Sequence, residues 1–400
     1  MAKILTKETL LKSINRINKI IVPVIVISQF AGTSLWFAGN AVISDLSLTF
    51  NLPESALGHI TSAVQFGFIL GTFFFAIFTI SDRYSPSKVF FICAICGALT
   101  NLGVFLSGEY FSIISFRALT GVFLAGIYPV GMKIASDYHE KGLGKTMGFL
   151  VGALVLGTAF PHLLKNFTGL FPWEVVIMGT SIISCLGGFI ILFFVTDGPY
   201  RKKSAGFDFK AIFKVFQNSE FRGAAFGYFG HMWELYAFWA FVPIMLISYQ
   251  SNHPGLTLPV SFWAFIIIGV GSISCAIGGY ISNKLGSKPV AFYSLLCSGI
   301  CCLLSPLIFD WAVFPFIIFL ILWGLSVVSD SPQFSTLVAG SAPKSFTGTA
   351  LTIVNSIGFI ITIFSIQLLN YLFLHTDVQY IFLALLPGPI FGLVALKIQE

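Results

Sequence analysis

Charge is what this chain has least of. Of its 400 residues only 10% are Asp, Glu, Lys or Arg, while 56% are hydrophobic and 45 are Phe. A soluble chain carries about 25% charged residues, so a water-facing surface over the whole molecule is excluded. The solvent for most of it is lipid. Alternating apolar and polar runs are also missing, which excludes a transmembrane β-barrel. No Walker motif, no Gly-x-Ser-x-Gly elbow and no His/Cys/Asp cluster at metal-ligand spacing occurs. ATP-driven chemistry by this chain alone, a bound metal and a cofactor are therefore not expected. A membrane-embedded enzyme or a sensor would need a catalytic cluster or a soluble output domain, and neither can be read. The seven cysteines all lie in apolar runs. Cys93-x-x-Cys96 has redox spacing but no second pair or His beside it, and reads as packing.

What the chain has is length of apolar run. A helix rises about 1.5 Å per residue, so a hydrocarbon layer of ~30 Å needs roughly 20 residues. Twelve stretches qualify: 20–45, 55–80, 87–107, 110–136, 143–165, 173–195, 222–249, 259–282, 289–308, 312–339, 345–373 and 376–396. The expected fold is an all-α membrane protein of twelve spans. Ahead of them, residues 1–19 place Leu10, Leu11, Ile14 and Ile17 at helical spacing among Lys7, Lys12, Arg16 and Lys19. This reads as an amphipathic segment lying on the membrane surface, not as a cleaved signal peptide, because no small-residue cleavage site precedes the first span.

The few charges are distributed one-sidedly. Alternating the loops puts Arg83, Lys88, Lys133, Lys141, Lys145, Arg201, Lys202, Lys203, Lys284, Lys288 and Lys344 on the side of the basic 1–19 segment. The opposite loops hold Lys165 among acids such as Asp45, Glu54, Glu109, Glu174, Asp310 and Asp377. By the positive-inside rule both termini face the cytoplasm, in a multi-pass protein of the cell inner membrane. The formal net charge of +6 is thus a topology signal, and its spread over many short loops argues against a nucleic-acid surface.

One long polar stretch, 196–221, divides the spans six and six. The resulting expectation is a bundle over 20–195, a cytoplasmic linker over 196–221 and a second bundle over 222–400. The halves echo each other: Ile80-Ser81-Asp82-Arg83 with Ile281-Ser282-Asn283-Lys284, and Gly121-x4-Gly126-Ile127-Tyr128-Pro129 with Gly324-x4-Ser329-Asp330-Ser331-Pro332. Lys141-x4-Thr146 likewise returns as Lys344-x4-Thr349. Two six-helix units repeated in parallel are how many secondary transporters are built, with the solute site between them near the midplane.

These residues carry a resemblance. Phe78-Thr-Ile-Ser-Asp82-Arg83-Tyr-Ser-Pro-Ser-Lys88 and its second copy, Gly279-Tyr-Ile-Ser-Asn283-Lys284-Leu-Gly286-Ser-Lys288, resemble the loop signature of the major facilitator superfamily. Arg117-Ala-Leu-Thr-Gly121-Val-Phe-Leu-Ala125 is similar to that superfamily's fourth-span motif, and Gly148-x8-Gly157-x3-Pro161 to its antiporter glycine motif. Ser34-Leu-Trp36-Phe-Ala-Gly-Asn40, Gln65-Phe-Gly67 and Gly230-His231-Met-Trp233-Glu234-Leu-Tyr236 look like permeases of the cyanate and nitrate/nitrite branch. Spans 2 and 8 nevertheless lack the Arg with which nitrate porters hold their anion. The resemblance implies a secondary transporter for a small solute, coupled to protons and worked by rocking of the two bundles, acting as a monomer. A small anion or organic acid is favoured; proton-driven export of hydrophobic compounds is the alternative.

Ionisable groups at membrane depth are costly and mark candidate sites. Arg117 in span 4, His231 and Glu234 in span 7 and Asp330 in span 10 qualify. His231 and Glu234, three residues apart on one helical face, are expected to interact. Together they either carry a proton between the two sides or form a fixed hydrogen-bonded pair. Arg117 either binds an anion bidentately or pairs with a carboxylate, and the superfamily uses this position for coupling. Asp330 is a proton or cation site, or a gate contact. Uncharged candidates for solute contact are Gln29, Trp36 and Asn40, whose spacings of seven and four suggest one stripe of span 1. Gln65, Tyr128, Tyr236, Trp239 and Asn355 join them. Asp82, Arg83, Asn283 and Lys284 are expected to gate the cytoplasmic face, with Asp137 as partner of Arg83. Gly126, Pro129, Gly131, Gly324 and Pro332 mark bends, and Gly148, Gly152 and Gly157 allow close helix approach.

Overall fold

The computed structural model describes residues 7–139, 143–167, 171–201, 211–343 and 347–397. Part of the expected linker (202–210) and of the amphipathic segment (1–6) lies outside the described residues. Among those described every regular element is helical. Eleven helices are long and apolar enough to cross a membrane: spans 2 (Ala56–Ile77), 3 (Pro86–Leu106), 4 (Tyr110–Asp137), 5 (Gly144–Phe167), 6 (Glu174–Phe194), 7 (Ser219–Ser251), 8 (Val260–Leu285), 9 (Ser287–Leu304), 10 (Val313–Ser341), 11 (Thr347–His375) and 12 (Val378–Lys397). Span 1 makes twelve. Its helix Lys7–Thr33 ends in a turn through residues 34–37 and resumes in the short helices Ala38–Ala41 and Ile43–Phe50.

Polarity runs inside out. Gln29, Gln65, Arg117, His231, Glu234 and Asp330 are buried, whereas Phe66 is 53% and Phe193 72% exposed. A helix can turn phenyl rings outward and amides inward without loss only where the surroundings are apolar.

Spans 1–6 pack among themselves, chiefly 2 on 4, 3 on 6 and 1 on 5 and 6. Spans 7–12 do likewise, chiefly 7 on 11 and 12 and 8 and 9 on 10; two seams, 5 on 8 and 2 on 11, join the bundles. The sequence echo is an echo of contacts. A β-carbon on Gly121 would stand 2.1 Å from the carbonyl oxygen of Val64, and one on Gly324 would stand 1.9 Å from that of Ile267. Span 4 meets span 2 as span 10 meets span 8, through a glycine too close to a neighbouring backbone to carry any side chain. The bends repeat as well: span 4 breaks between Leu124 and Tyr128, and span 10 between Ser329 and Ser331. Spans 5 and 8 are similarly close, with a β-carbon on Gly148 placed 2.9 Å from the carbonyl oxygen of Cys275.

Gly121→Ala and Gly324→Ala should therefore each destabilise the fold by about 1–3 kcal/mol through overpacking. Gly340→Ala, with nothing within 4 Å of the added atom, serves as control. Thermal unfolding of the three variants in detergent checks this.

Candidate substrate and proton site

The break in span 1 is where the interior begins to differ from a stack of helices. Arg117 reaches it from span 4. Its Nη2 donates to the carbonyl oxygens of Leu35 (2.9 Å) and Trp36 (2.7 Å), and Nη1 donates to Asn101 Oδ1 (2.7 Å). The guanidinium thus caps the end of the first helix, where the macrodipole favours a cation. Asn101 passes the connection to span 6 through the Ile177 carbonyl and Ser181 Oγ. Arg117 is fully buried and pairs with no carboxylate among the described residues. The broken helix also separates the polar residues of span 1. Gln29 faces Gly131 of span 4, while Asn40, beyond the break, donates to Thr61 Oγ1 at 2.6 Å. The single stripe suggested by their spacing does not form, because the spacing assumes an unbroken helix.

Around the turn lies an aromatic cluster drawn from both bundles. Trp36 meets Phe68 of span 2 at 4.9 Å, Tyr236 of span 7 at 5.6 Å and Phe359 of span 11 at 5.7 Å between ring centres. Tyr236 in turn meets Trp239 at 5.2 Å, and Phe68 meets Phe359 at 4.4 Å. Tyr128, at the bend of span 4, is buried. Asn355 is half-buried on span 11.

The charges of the second bundle do not pair as their spacing suggests. His231 Nδ1 lies 2.9 Å from Asp330 Oδ1, at the break of span 10. Glu234 turns instead to spans 9 and 10. Its Oε1 accepts from Trp323 Nε1 (2.7 Å) and Cys302 Sγ (3.3 Å), and its Oε2 from Ser298 Oγ (2.9 Å). Span 10 runs antiparallel beside span 7, so Asp330 and Trp323, about two turns apart, reach His231 and Glu234, which are one turn apart on span 7, and contacts across helices displace the expected one along the helix. The two acids differ in kind. Glu234 is saturated by three donors. Asp330 meets His231 in a close approach of two buried groups, and no other side chain reaches either of them as a donor or acceptor. The rings of Tyr228 (5.9 Å) and Phe334 (6.1 Å) flank His231.

Access differs on the two faces. On the face of the acidic loops, Gln367 donates to Ser62 Oγ (2.8 Å) and Asn370 to the Ser55 carbonyl (3.2 Å), closing the seam of spans 2 and 11. Towards the basic face the same seam opens into a cavity of about 160 Å³, lined by Thr72, Thr79, Asp82, Pro129, Lys133 and Thr352 among others. Its wall includes Pro129, next to Tyr128.

A sequence profile of the Major Facilitator Superfamily matches residues 24–366. The chain belongs to the major facilitator superfamily. Its fold is also that of solved superfamily members: a proton:xylose symporter bound to a bromodeoxyglucose (TM-score 0.73, 13% identity, 95% of this chain and 94% of that one). A bacterial homologue of the human lysosomal transporter Spinster, inward-facing and unoccupied, matches with TM-score 0.70 at 12% identity over 95% and 96%. The human organic anion transporter TETRAN matches with 0.69 at 13% over 95% and 99%. Uncharacterised transporters of Buchnera aphidicola from two aphid hosts are 23% and 22% identical over 195 and 186 residues. The first match covers 48% of this chain and 47% of the relative, so the chain spans about half the length of the curated relatives it matches.

The superfamily's loop signature sits on the basic face, where Asp82 meets Lys133 at 2.8 Å and Asp137 meets the same lysine at 3.8 Å. Arg201 pairs with Asp197 and donates to the carbonyl oxygens of Asp82 (3.0 Å) and Tyr84 (2.7 Å). Asp137 thus takes Lys133, one turn away on its own helix, and Arg83 stays exposed. Asn283 and Lys284 are exposed too and join none of these pairs. The network fastens the ends of spans 2 and 4 and the start of the linker within one bundle.

Trp323, Phe68 and Phe359 carry no sequence signal, being large residues in apolar runs. Thr158 and His162 do. One turn apart on span 5, both are buried, with Thr158 Oγ1 and His162 Nε2 unpaired. They are polar residues in an apolar run, the signal that singles out Gln29.

Proposed function

We propose that this superfamily member is a proton-coupled secondary transporter of a small solute, acting as a monomer by alternating access in the cell inner membrane, with its basic face in the cytoplasm. The observation that carries the reading is the His231–Asp330 contact. An imidazole nitrogen and a carboxylate oxygen 2.9 Å apart, both side chains buried, make a pair that can take up and release a proton as the cavity turns from one side to the other. A bare charge there is costly while the site is sealed, by several kcal/mol. The proton therefore travels with the closing and opening of the bundles. Closure across spans 2 and 11 on the acidic face and the cavity on the basic face match a cytoplasm-facing member of the transport cycle.

Glu234 serves the frame of the second bundle. Arg117 spends its terminal nitrogens on helix carbonyls and Asn101 and keeps its Nε unpaired; the lean to a small anion or organic acid draws on this charge and on the cyanate/nitrate-like segments. Export of hydrophobic compounds draws support from the aromatic cluster.

The test is accumulation of solute in proteoliposomes under an imposed pH gradient, with solutes first found by a thermal-shift screen. Accumulation should follow the gradient and collapse with a protonophore. Glu234→Gln should keep it within about tenfold, the effect of 1.4 kcal/mol, because the amide oxygen still accepts from Trp323 and Ser298 can turn its hydroxyl to the amide nitrogen. Accumulation that ignores the pH gradient would sink the reading.

A further inference from the structure

The aromatic cluster contains more polar atoms than it satisfies. Trp36 Nε1, Trp239 Nε1, Asn40 Oδ1 and both amide atoms of Gln65 have no hydrogen-bond partner, although each side chain is buried. They belong to one neighbourhood. Trp36 and Trp239 both touch the ring of Tyr236. Asn40 bonds Thr61, and Gln65 follows Thr61 by one turn of span 2, with Phe68, which touches Trp36, next along that face. The atoms come from spans 1 and 2 of one bundle and span 7 of the other, so their surroundings change whenever the bundles move apart.

A buried donor or acceptor left unmade is a net loss to the folded protein. Five such atoms in one cluster are not explained by packing, since Leu, Phe or Val would fill the same space without loss. They are explained by a ligand that pairs with them during part of the cycle. The set contains donors (two indole N–H groups and an amide NH2) and acceptors (two amide oxygens) on a background of aromatic faces. It contains no charge. Glu234 is occupied by three donors, and Arg117 gives its terminal nitrogens to helix carbonyls and Asn101 and keeps only its Nε unpaired.

We propose that the solute is an uncharged ring bearing hydroxyl groups, bound between Trp36 and Gln65 of one bundle and Tyr236 and Trp239 of the other. Hydroxyls donate and accept at once, so one ring can serve indole N–H groups and amide oxygens together. The apolar face of a sugar or the flat face of a nucleobase lies against the tryptophan and tyrosine rings. An apolar compound would cover the rings and leave all five polar atoms dry. A carboxylate would find indole N–H groups and, of the Arg117 guanidinium, only the Nε that its helix contacts leave unpaired. The inference rests on the transporter reading above and names its solute; the proton stays with His231–Asp330, so an uncharged solute moves together with it and the sealed site remains neutral.

The experiment is titration of tryptophan fluorescence of the purified full chain with aldopentoses, aldohexoses and nucleosides, with benzoate and benzyltrimethylammonium as charged counterparts. Saturable quenching by a sugar or by a nucleoside is expected, and which of them binds tells the two sources of the ring apart. Gln65→Leu and Trp239→Phe should each weaken that binding by about tenfold or more, the loss of one or two hydrogen bonds to ligand. Their thermal midpoints should stay unchanged or rise, because each variant removes buried atoms that lack partners. Quenching by the charged probes alone, by none of the probes, or a Gln65→Leu variant with normal affinity and a lowered midpoint would overturn the proposal. If the ring solute binds but does not follow a pH gradient, proton coupling fails and the solute assignment stands.

Discussion

Asp330→Asn should turn a concentrating transporter into a passive one. A pH gradient of one unit, coupled one proton to one solute, sustains about a tenfold solute gradient, since one unit is worth 1.36 kcal/mol. In proteoliposomes carrying the asparagine variant this gradient should fall to unity, whereas exchange of labelled for unlabelled solute continues. The reason lies in the site. Asparagine keeps the shape of Asp330 at the break of span 10 but cannot bind or release the proton that the proposed coupling assigns to this pair, so the bundles would close over a permanently neutral site. His231→Gln should behave alike, because the contact at 2.9 Å needs both partners. Full accumulation by Asp330→Asn would remove this pair from the mechanism.

The second large effect is expected on stability. Arg117→Ala strips three acceptors, the carbonyls of Leu35 and Trp36 and Asn101 Oδ1, of their donor in a place that water does not reach. At 1–3 kcal/mol for each buried unsatisfied group, the loss is on the order of 3 kcal/mol or more. Unlike the breaking of a buried ion pair, it leaves no orphaned carboxylate, so the damage centres on the turn of span 1. Arg117→Lys should recover only part of it, because one ammonium cannot reproduce the planar fork that reaches two carbonyls and an amide. Thermal unfolding in detergent measures both variants. If Arg117→Ala unfolds like the parent chain but loses solute affinity, the guanidinium is a ligand for solute and not a cap.

Much of the fold was legible in the residues. Long apolar runs marked the spans, since lipid demands them, and the loop lysines and arginines ordered their sides. The repeat of Gly121 at Gly324 was visible as letters before it was visible as a contact, because a position that admits only glycine records a backbone approaching from another helix. Bends were partly legible for the same local reason: Gly126 and Pro129 stand at the break of span 4 and Pro332 at that of span 10, whereas Gly131 and Gly324 lie within unbroken helices. The break after Thr33 was not, because no proline or glycine pair makes it. Thr33 and Ser34 bond back to the carbonyls of Gln29 and Ala31 there, and Arg117, from a helix far away in the chain, takes the two carbonyls beyond the break.

The candidate site divides along the same line. Gln29, Gln65, Arg117, His231, Glu234 and Asp330 could be named as interior groups from composition alone, since a polar group in an apolar run must turn inward to find a partner. Which partner each finds depends on the rotation and depth of two helices relative to each other, and neither quantity is written along one strand of sequence. Helical spacing placed Glu234 beside His231; tertiary packing gave His231 to Asp330 and Glu234 to Trp323. The sequence by itself thus determined that this is a two-part membrane bundle with a few charges inside. Only the tertiary structure decided which of those charges are tied down by donors and which two lie in contact across spans 7 and 10, because contacts between helices are settled by geometry in three dimensions.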